Sequence, residues 1–126
     1  MRRILIETIP HCQQRYPTCG DYIFETNGDI RIWISDTGSD DYNFLVAIHE
    51  TLEAYLTHKR GIREEDITAF DKKFEQNREK DNVDEPGDSY DAPYKNEHFF
   101  ATNIERLLAR ELNVDWSTYD KTINEL

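Results

Sequence analysis

The spacing of apolar residues changes about a third of the way along the chain. Residues 3 to 9 are mostly aliphatic and β-branched, which is typical of a strand. Residues 22 to 35 contain two apolar runs on either side of Asn27-Gly28, a strong hairpin signal. The second run alternates apolar and polar positions, so we expect one buried face formed by three isoleucines, Ile30, Ile32 and Ile34.

From residue 42 onward the apolar residues recur every three or four positions, as in amphipathic helices. The pattern predicts helices over residues 42 to 60, 64 to 80 and 95 to 112. Gly61 is a suitable residue to end the first of them. The segment from residue 81 to 93 is acidic and interrupted by two prolines and a glycine, so we expect a long loop there.

Strands come first and helices follow, an order that predicts an α+β fold. We expect a small N-terminal antiparallel sheet, made of a strand plus a β-hairpin, packed on three main helices. Trp116 and Tyr119, in a last segment with room for one more helical turn, are expected core anchors. No repeat or change in composition divides the 126 residues, so a single domain, 1–126, is predicted.

The first predicted helix carries a histidine and two glutamates beside its apolar face. On a helical wheel, His49 and Glu53 fall at the margin of that face, while Glu50 lies further toward solvent. Ala47 and Ala54 are small enough to let another element approach. The apolar face itself is predicted from six residues, Phe44, Leu45, Ile48, Leu52, Tyr55 and Leu56.

The last long helix repeats this arrangement. His98 lies on one edge of its apolar stripe, and Glu105 lies two turns further along the same edge. We expect Glu105 to pair with Arg106 or Arg110, or to cap a loop, as an ordinary surface carboxylate would. The stripe is predicted from Phe100, Ile104, Leu107, Leu108 and Leu112.

Taken together, the two helices suggest a shared metal site. His49 and Glu53 are four residues apart and can approach one ion, and His98 is the obvious third ligand from a second element. Each histidine alone would more simply be a hydrogen-bonded residue at the edge of a core. His58 lies about half a turn round the helix from His49, and His11 lies in a loop, so neither is preferred.

The run His49-Glu50-Thr51-Leu52-Glu53 resembles the H-E-x-x-H helix of the zincin metallopeptidases. The strand "DIRIWIS" followed by "LVAIHETLEAYL" has the zincin order of elements. The resemblance implies that His49 and Glu53 bind the metal, with His98 as third ligand. Glu50 would be the catalytic general base, acting on a metal-activated water.

Glu53 stands where zincins have their second histidine. The zincin resemblance implies zinc as the first expectation, and because a carboxylate is a harder, anionic ligand than imidazole it broadens the choice to Mn²⁺, Fe²⁺ or Ni²⁺. The x-x-G-x-x-H continuation of metzincins is absent. The stretches "RYPTCGDY", "EPGD" and "APYKNEHFFATNIERLL" also resemble small phage and prophage proteins, a resemblance that implies no activity.

Composition narrows the classes of partner. The net charge is −11, from 26 acidic and 15 basic residues, which argues against nucleic-acid binding. No apolar stretch approaches the length of a membrane span, and no signal peptide is evident. Cys12 and Cys19 cannot build a disulfide framework, so a reduced, cytoplasmic protein is expected.

Three functions remain open from the sequence. The first is a small metal-dependent hydrolase of peptide or amide bonds that holds an extended peptide substrate. The second is a non-catalytic acidic phage protein that retains a structural metal and binds a host protein. The third is a Mg²⁺-dependent nucleotide pyrophosphatase using Glu50 and Glu53, which would need paired carboxylates such as Glu97 and Glu105 on a second helix.

The predicted loop from residue 81 to 93 immediately precedes His98. We therefore expect this loop to flank the site, with Tyr90, Asp91 and Tyr94 close enough to shape access to it.

Overall fold

A three-stranded mixed sheet lies at the N-terminal end of the computed structural model, which describes residues 3–126. Its strands are β1 (Ile4–Ile9), β2 (Gly20–Phe24) and β3 (Ile30–Ser35), in the spatial order β1-β3-β2. Strands β2 and β3 form the predicted antiparallel hairpin. Strand β1 pairs with β3 in parallel, so the prediction of an entirely antiparallel sheet was wrong.

The direction of β1 follows from the connection after it. Residues 10 to 19 cross the end of β3 to reach the far edge of the sheet, where β2 begins. The backbone N–H of Ser35 donates to the carbonyl of Cys19 (2.8 Å), and the Ser35 hydroxyl lies 2.8 Å from Nδ1 of His11. Ten residues easily span two interstrand spacings of about 4.8 Å each, so the sequence pattern alone could not exclude a parallel pairing.

Helices form the rest of the fold and confirm the α+β class. The first two helices begin close to the predicted residues, but the second ends earlier, at Gln76, and a short fourth helix follows the third. Within residues 3–126 no helix combines the length and apolarity needed to cross a membrane. The helices are α1 (Asp40–Lys59), α2 (Glu64–Gln76), α3 (Lys95–Glu111) and α4 (Trp116–Asn124), with 3₁₀ turns at His11–Gln13 and Pro86–Asp88.

Local sequence fixes where α1 begins and ends. The Ser39 hydroxyl accepts a hydrogen bond from the backbone N–H of Tyr42, and Asp40 and Asp41 lie in the first turn, where the helix dipole favours acidic residues. The helix ends before Gly61, whose φ of +72° suits glycine best. The 20 residues between these ends form the element to which the candidate ligands His49 and Glu53 belong.

The alternating isoleucines of β3 are buried as predicted, but of the six residues predicted for the buried face of α1 only Leu45 is fully buried. Phe44 and Tyr55 are 49% and 40% exposed, respectively. The helix instead buries the side that carries the histidine and Glu53. Its buried residues are Leu45, Val46, Ala47, His49, Glu53, Ala54 and Thr57.

Helix α3 shows the same departure. Phe100 and Leu107, expected in the core, are exposed, whereas His98 and Glu105 are buried. The wheel prediction assumed that the most apolar side of each helix faces inward. In this fold the small and polar sides of α1 and α3 face each other, and α1 also packs on β2 and β3 of the sheet.

The sheet offers a matched test of this packing. Ile32 is fully buried, and its neighbour across the parallel ladder, Ile6, is 46% exposed. We expect Ile32→Ala to lower the free energy of unfolding by about 2–5 kcal/mol, and Ile6→Ala by about 1 kcal/mol or less. Urea denaturation of both variants measures this, and equal costs would contradict the described packing.

Candidate metal centre

Three buried side chains bring one ligand atom each to a single point between α1 and α3. Nε2 of His49 lies 3.1 Å from Oε2 of Glu53 and 3.2 Å from Nδ1 of His98. The third side of this triangle, from Nδ1 of His98 to Oε2 of Glu53, is 2.9 Å. The structure thus brings together the three residues that the sequence predicted as metal ligands, and this grouping could hold a metal ion.

The triangle has the dimensions of one face of a coordination tetrahedron. Metal–ligand bonds of about 2.0–2.1 Å place tetrahedral ligand atoms about 3.3 Å apart. The observed separations of 2.9–3.2 Å are shorter by a few tenths of an ångström. An ion could therefore be accommodated by small side-chain shifts, and its fourth position would lie outside the triangle.

The far nitrogen of His49 is held by a carboxylate. Nδ1 of His49 lies 2.7 Å from Oε1 of Glu105, and the Tyr119 hydroxyl donates to the other oxygen of Glu105 at 2.5 Å. A proton on Nδ1 leaves the Nε2 lone pair facing Glu53 and His98. The prediction that Glu105 pairs with Arg106 or Arg110, or caps a loop, was therefore wrong. Glu105 instead fixes the orientation of His49.

The far nitrogen of His98 is held in the same way by the acidic loop. Nε2 of His98 lies 3.1 Å from Oδ1 of Asp88 and 3.1 Å from Oε2 of Glu85. These two carboxylates with His98 form a second grouping able to hold an ion. The His98 ring presents one nitrogen to each grouping. When Nε2–H donates a hydrogen bond to the loop, the lone pair of Nδ1 can bind a metal ion together with His49 and Glu53.

Gly87 lets the loop approach the ring of His98 closely. A Cβ atom at this position would overlap the imidazole, with its nearest contacts to Cγ, Nδ1 and Cδ2 of His98. Any larger residue would have to push a candidate ligand out of place. The 3₁₀ turn Pro86–Asp88 thus sets the position of His98 by both contact and hydrogen bonding.

Burial and hydrogen bonding have opposing effects on the pKa of Glu53, the carboxylate of the triangle. Burial alone would raise the pKa of Glu53, but hydrogen bonds with His49 and His98 lower it to about 2. Its second oxygen accepts a hydrogen bond from the hydroxyl of Tyr22 on β2 (3.1 Å). Glu53 is consequently an ionised carboxylate anchored at both oxygens.

The two histidines are surrounded by acceptors. Burial would lower their pKa values, but hydrogen bonds to Glu105 and Glu53 raise the pKa of His49 well above its ordinary value. For His98, hydrogen bonds to Asp88, Glu53 and Glu85 overcome burial and raise the pKa in the same direction. The cluster therefore favours positive charge at its centre, which a proton or a metal cation can supply.

Glu50 lies beside the triangle without belonging to it. Its side chain packs against Gly20 at the start of β2, where an added Cβ would come within 2.5 Å of Cγ and Cδ of Glu50. Burial and the charge of Glu53 raise the pKa of this half-buried carboxyl well above its ordinary value. The sheet thus supports Glu50 directly, through a position that only glycine fits without displacing it.

A cleft of about 510 Å³ opens over this cluster. His49, Glu50, Glu53 and His98 all line it, so the cluster is accessible from one side. The predicted loop flanks the cleft through residues 82 to 88, and Tyr94 also lines it. Tyr90 and Asp91 do not: Tyr90 is 83% exposed and stacks with the amine of Lys95.

The other histidines and acidic residues have separate partners. His11 lies beside Ser35, and exposed His58 packs against the ring of Phe24, so neither belongs to the cluster. Glu97 pairs with the guanidinium of Arg60. Because Arg60 pairs with Glu97, and His49 and Tyr119 pair with Glu105, neither is the free carboxylate that a Mg²⁺ pyrophosphatase site would need on α3.

A second buried polar group borders the cleft on α2. The hydroxyls of Tyr94 and Tyr16 donate to the carboxyl of Asp71, at 2.5 Å and 3.2 Å. Burial raises the pKa of Asp71 to about 7, helped by the charges of Glu53 and Asp21, although the two tyrosines lower it. This carboxyl is therefore protonated in part of the population at neutral pH.

The residues that support the cluster were not predicted from the sequence. Asp88 and Glu85 belong to a loop with many acidic residues, Tyr22 begins the first apolar run of the hairpin, and Tyr119 is expected in the core. Nothing in the local pattern marks Gly20 or Gly87 as a close contact, because each touches a residue more than ten positions away.

Comparison of the chain with models of known families, with characterised proteins and with solved structures gives no match. The function of the chain is therefore inferred from the geometry of the cluster itself.

Asp71 generates a pH-dependent prediction. Because its folded pKa of about 7 lies above the ordinary value of 3.8, the folded state binds an extra proton between these two pH values. Stability should therefore fall as pH rises from about 4 to 7, and Asp71→Asn should remove this contribution. The free-energy difference between variant and wild type should grow in favour of the variant by up to about 1.4 kcal/mol per pH unit.

Urea denaturation from pH 5 to 8, with chelator present in both samples, measures this difference. Subtracting wild type removes the titration of other groups that the substitution leaves unchanged. A difference that stays constant across the range would contradict the raised pKa of Asp71.

Proposed function

We propose that His49, Glu53 and His98 bind one divalent metal ion, zinc in the first place, and that the chain is a small metal-dependent hydrolase of peptide or amide bonds. The observation that carries this proposal is the triangle of ligand atoms with sides of 2.9–3.2 Å, each side chain oriented by a further hydrogen bond. Structural support of this kind is typical of metal ligands.

The donor set supports zinc. Two imidazoles and one carboxylate, with a fourth position open, is the ligand set of known catalytic zinc sites in metallopeptidases. Relative to the H-E-x-x-H pattern, the carboxylate has moved to position 53 and the second imidazole comes from α3. Two imidazoles and one carboxylate carry the same total charge here as in those sites. A bound metal would therefore be as effective in lowering the pKa of its water, even though Glu53 replaces a histidine of the motif.

Glu50 is the proposed general base. A zinc ion in such a site supplies Lewis acidity and lowers the pKa of water. Glu50 lies one residue from His49, on the cleft side, held against Gly20. A bound cation would counteract the burial and the charge of Glu53 that raise the pKa of Glu50, so the ionised carboxylate could accept the proton of the attacking water and pass it on to the leaving amine.

The shape of the cleft supports an extended substrate. Strand β2 is an edge strand, and its residues Gly20, Asp21 and Tyr22 line the cleft beside Glu50. A peptide placed along this edge would run past the proposed base. The volume of about 510 Å³ suits a short peptide segment or a small amide.

The alternative is a non-catalytic acidic binding protein in which the metal only joins α1 to α3. It shares the metal site with the hydrolase, and the two differ in the role of Glu50 alone. Experiments on Glu50 therefore separate them, whereas experiments on the ligands test both.

Removing a ligand should remove the metal. We expect His49→Ala and His98→Ala to lose stoichiometric Zn²⁺, measured by elemental analysis after dialysis, and to lose the thermal stabilisation that Zn²⁺ gives wild type. That stabilisation should be about 2.7 kcal/mol when free metal is 100-fold above its Kd. His58→Ala, on the exposed side of α1, is the matched control and should bind as wild type does.

Metal-free wild-type protein whose melting temperature does not respond to Zn²⁺, Mn²⁺ or Ni²⁺ would overturn the site. Chelator should reproduce the loss seen in the two ligand variants.

Two glycine substitutions should separate binding from catalysis. Gly87→Ala should push the ring of His98 and weaken Zn²⁺ binding, whereas Gly20→Ala should displace Glu50 and leave Zn²⁺ binding near the wild-type value. Glu50→Gln should likewise keep metal and stability. Against a peptide library, both Glu50→Gln and Gly20→Ala should lose at least about 100-fold in kcat, the lower end of the usual contribution of a general base.

Titration calorimetry gives the affinities, and each glycine variant is the control for the other. Zinc-loaded wild type without activity on any peptide or amide would favour the binding protein. Full activity in Glu50→Gln would remove Glu50 from the mechanism.

A further inference from the structure

An apolar surface covers the side of α1 and α3 that faces away from the cleft. Phe44 and Tyr55 on α1, and Phe100 and Leu107 on α3, are between 40% and 60% exposed. Ile48, Leu52 and Ile104 are half-buried between them in the same stripes. These seven residues are called the outer helical face.

The two stripes lie on the same side of the helix pair. Helices α1 and α3 are antiparallel. His49 contacts Glu105, and Arg60, which is later on α1, contacts Glu97, which is earlier on α3. The ligands of both helices face the cleft on one side of their line of contact. The centres of the apolar stripes are about a third of a turn from the nearest ligand on each helix, on the other side of that line, although Leu52 is only about 60° from His49.

The outer helical face is as large as the apolar part of a stable interface. Its exposed fractions correspond to roughly 400–600 Å² of apolar surface, taking about 150–250 Å² for each whole side chain. The largest patch on a typical monomer is about 300–600 Å² and is often functional. A standard interface buries about 800 Å² per partner, of which about 56–65% is apolar.

We propose that the outer helical face binds a second copy of this chain, with α1 packed antiparallel against α1 of that copy about a two-fold axis. The stripe on α1 continues at each end into one charged residue. Asp41 lies one turn before Phe44, and Lys59 lies one turn after Tyr55, on the same side of the helix. A two-fold axis would bring Asp41 of each copy to Lys59 of the other.

The spacing of the stripe makes this pairing self-complementary. With the axis near residue 50, Ile48 opposes Leu52 of the second copy, and Phe44 opposes Tyr55 and Leu56 of the second copy. Asp41 then opposes Lys59, since both lie nine residues from the centre. Salt at physiological strength screens the net charge of −11 beyond about 8 Å.

Sedimentation equilibrium of the zinc-saturated full chain tests this proposal. Wild type should dimerise reversibly, and Phe100→Glu should abolish the dimer because it places a charge within an apolar contact. Its neighbour Phe99, 68% exposed but about 100° away round α3, provides the control: Phe99→Glu should dimerise as wild type does. Circular dichroism checks that both variants fold.

A charge exchange tests the two-fold pairing. Asp41→Lys and Lys59→Asp each place two like-charged pairs across the interface, so each alone should dimerise about tenfold more weakly. An equimolar mixture of the two should form a heterodimer of wild-type affinity, because both ion pairs are then restored. Lys72→Asp, exposed on α2, is the control for a change of net charge.

Three results would overturn the proposal. If wild type stays monomeric up to roughly 100 µM, its affinity is too weak for specific pairing, and the outer helical face would instead bind a different protein. Equal loss of dimer in Phe99→Glu and Phe100→Glu would place the interface elsewhere. A mixture of the two charge variants that forms no heterodimer would exclude the antiparallel pairing of α1.

Discussion

The fold depends on a buried set of charges between α1 and α3. Two buried carboxylates, Glu53 and Glu105, and the exposed carboxylate of Asp88 at the edge of the cluster surround the imidazoles of His49 and His98, and each is within hydrogen-bonding distance of a ring nitrogen. Such a cluster is costly to bury unless nearly every donor and acceptor is paired. Here the pairing uses β2, α4 and the acidic loop as well as the two helices, so the positions of these elements are coupled through the cluster.

This arrangement explains why small residues and charged residues share the buried sides of the helices. Ala101 and Ala109 are buried on the side of α3 that carries His98 and Glu105, and Ala54 is buried beside Glu53 on α1. Small side chains let the helices approach until the polar groups can reach one another. The larger apolar residues are displaced to the outer side, and the core that remains is formed mainly by β3, Leu45 and the aromatic residues around Tyr119.

The sequence predicted the elements and the three candidate ligands better than it predicted packing. Capping residues, the Asn-Gly turn and the spacing of His49 and Glu53 are local signals, and they placed the helices, the hairpin and half of the cluster. The partner of β1 and the buried sides of α1 and α3 depend on contacts between distant residues. The hydrophobic pattern misplaced Phe44 and Leu107 because it assigns no favourable energy to polar groups that satisfy one another. Asp88 and Gly87 had no distinguishing local signal at all.

The cluster also has a consequence for how the chain folds. His49 is separated from His98 by 49 residues and from Glu105 by 56, and the Tyr119 hydroxyl comes from the last helix. Contacts between residues so far apart in sequence form slowly, because the entropy of closing a long loop is lost before the contact contributes any favourable energy. During synthesis, α1 would leave the ribosome with its polar side unsatisfied until more than 50 further residues had followed. We therefore expect the cluster to be completed late in folding, when α3 and α4 dock together.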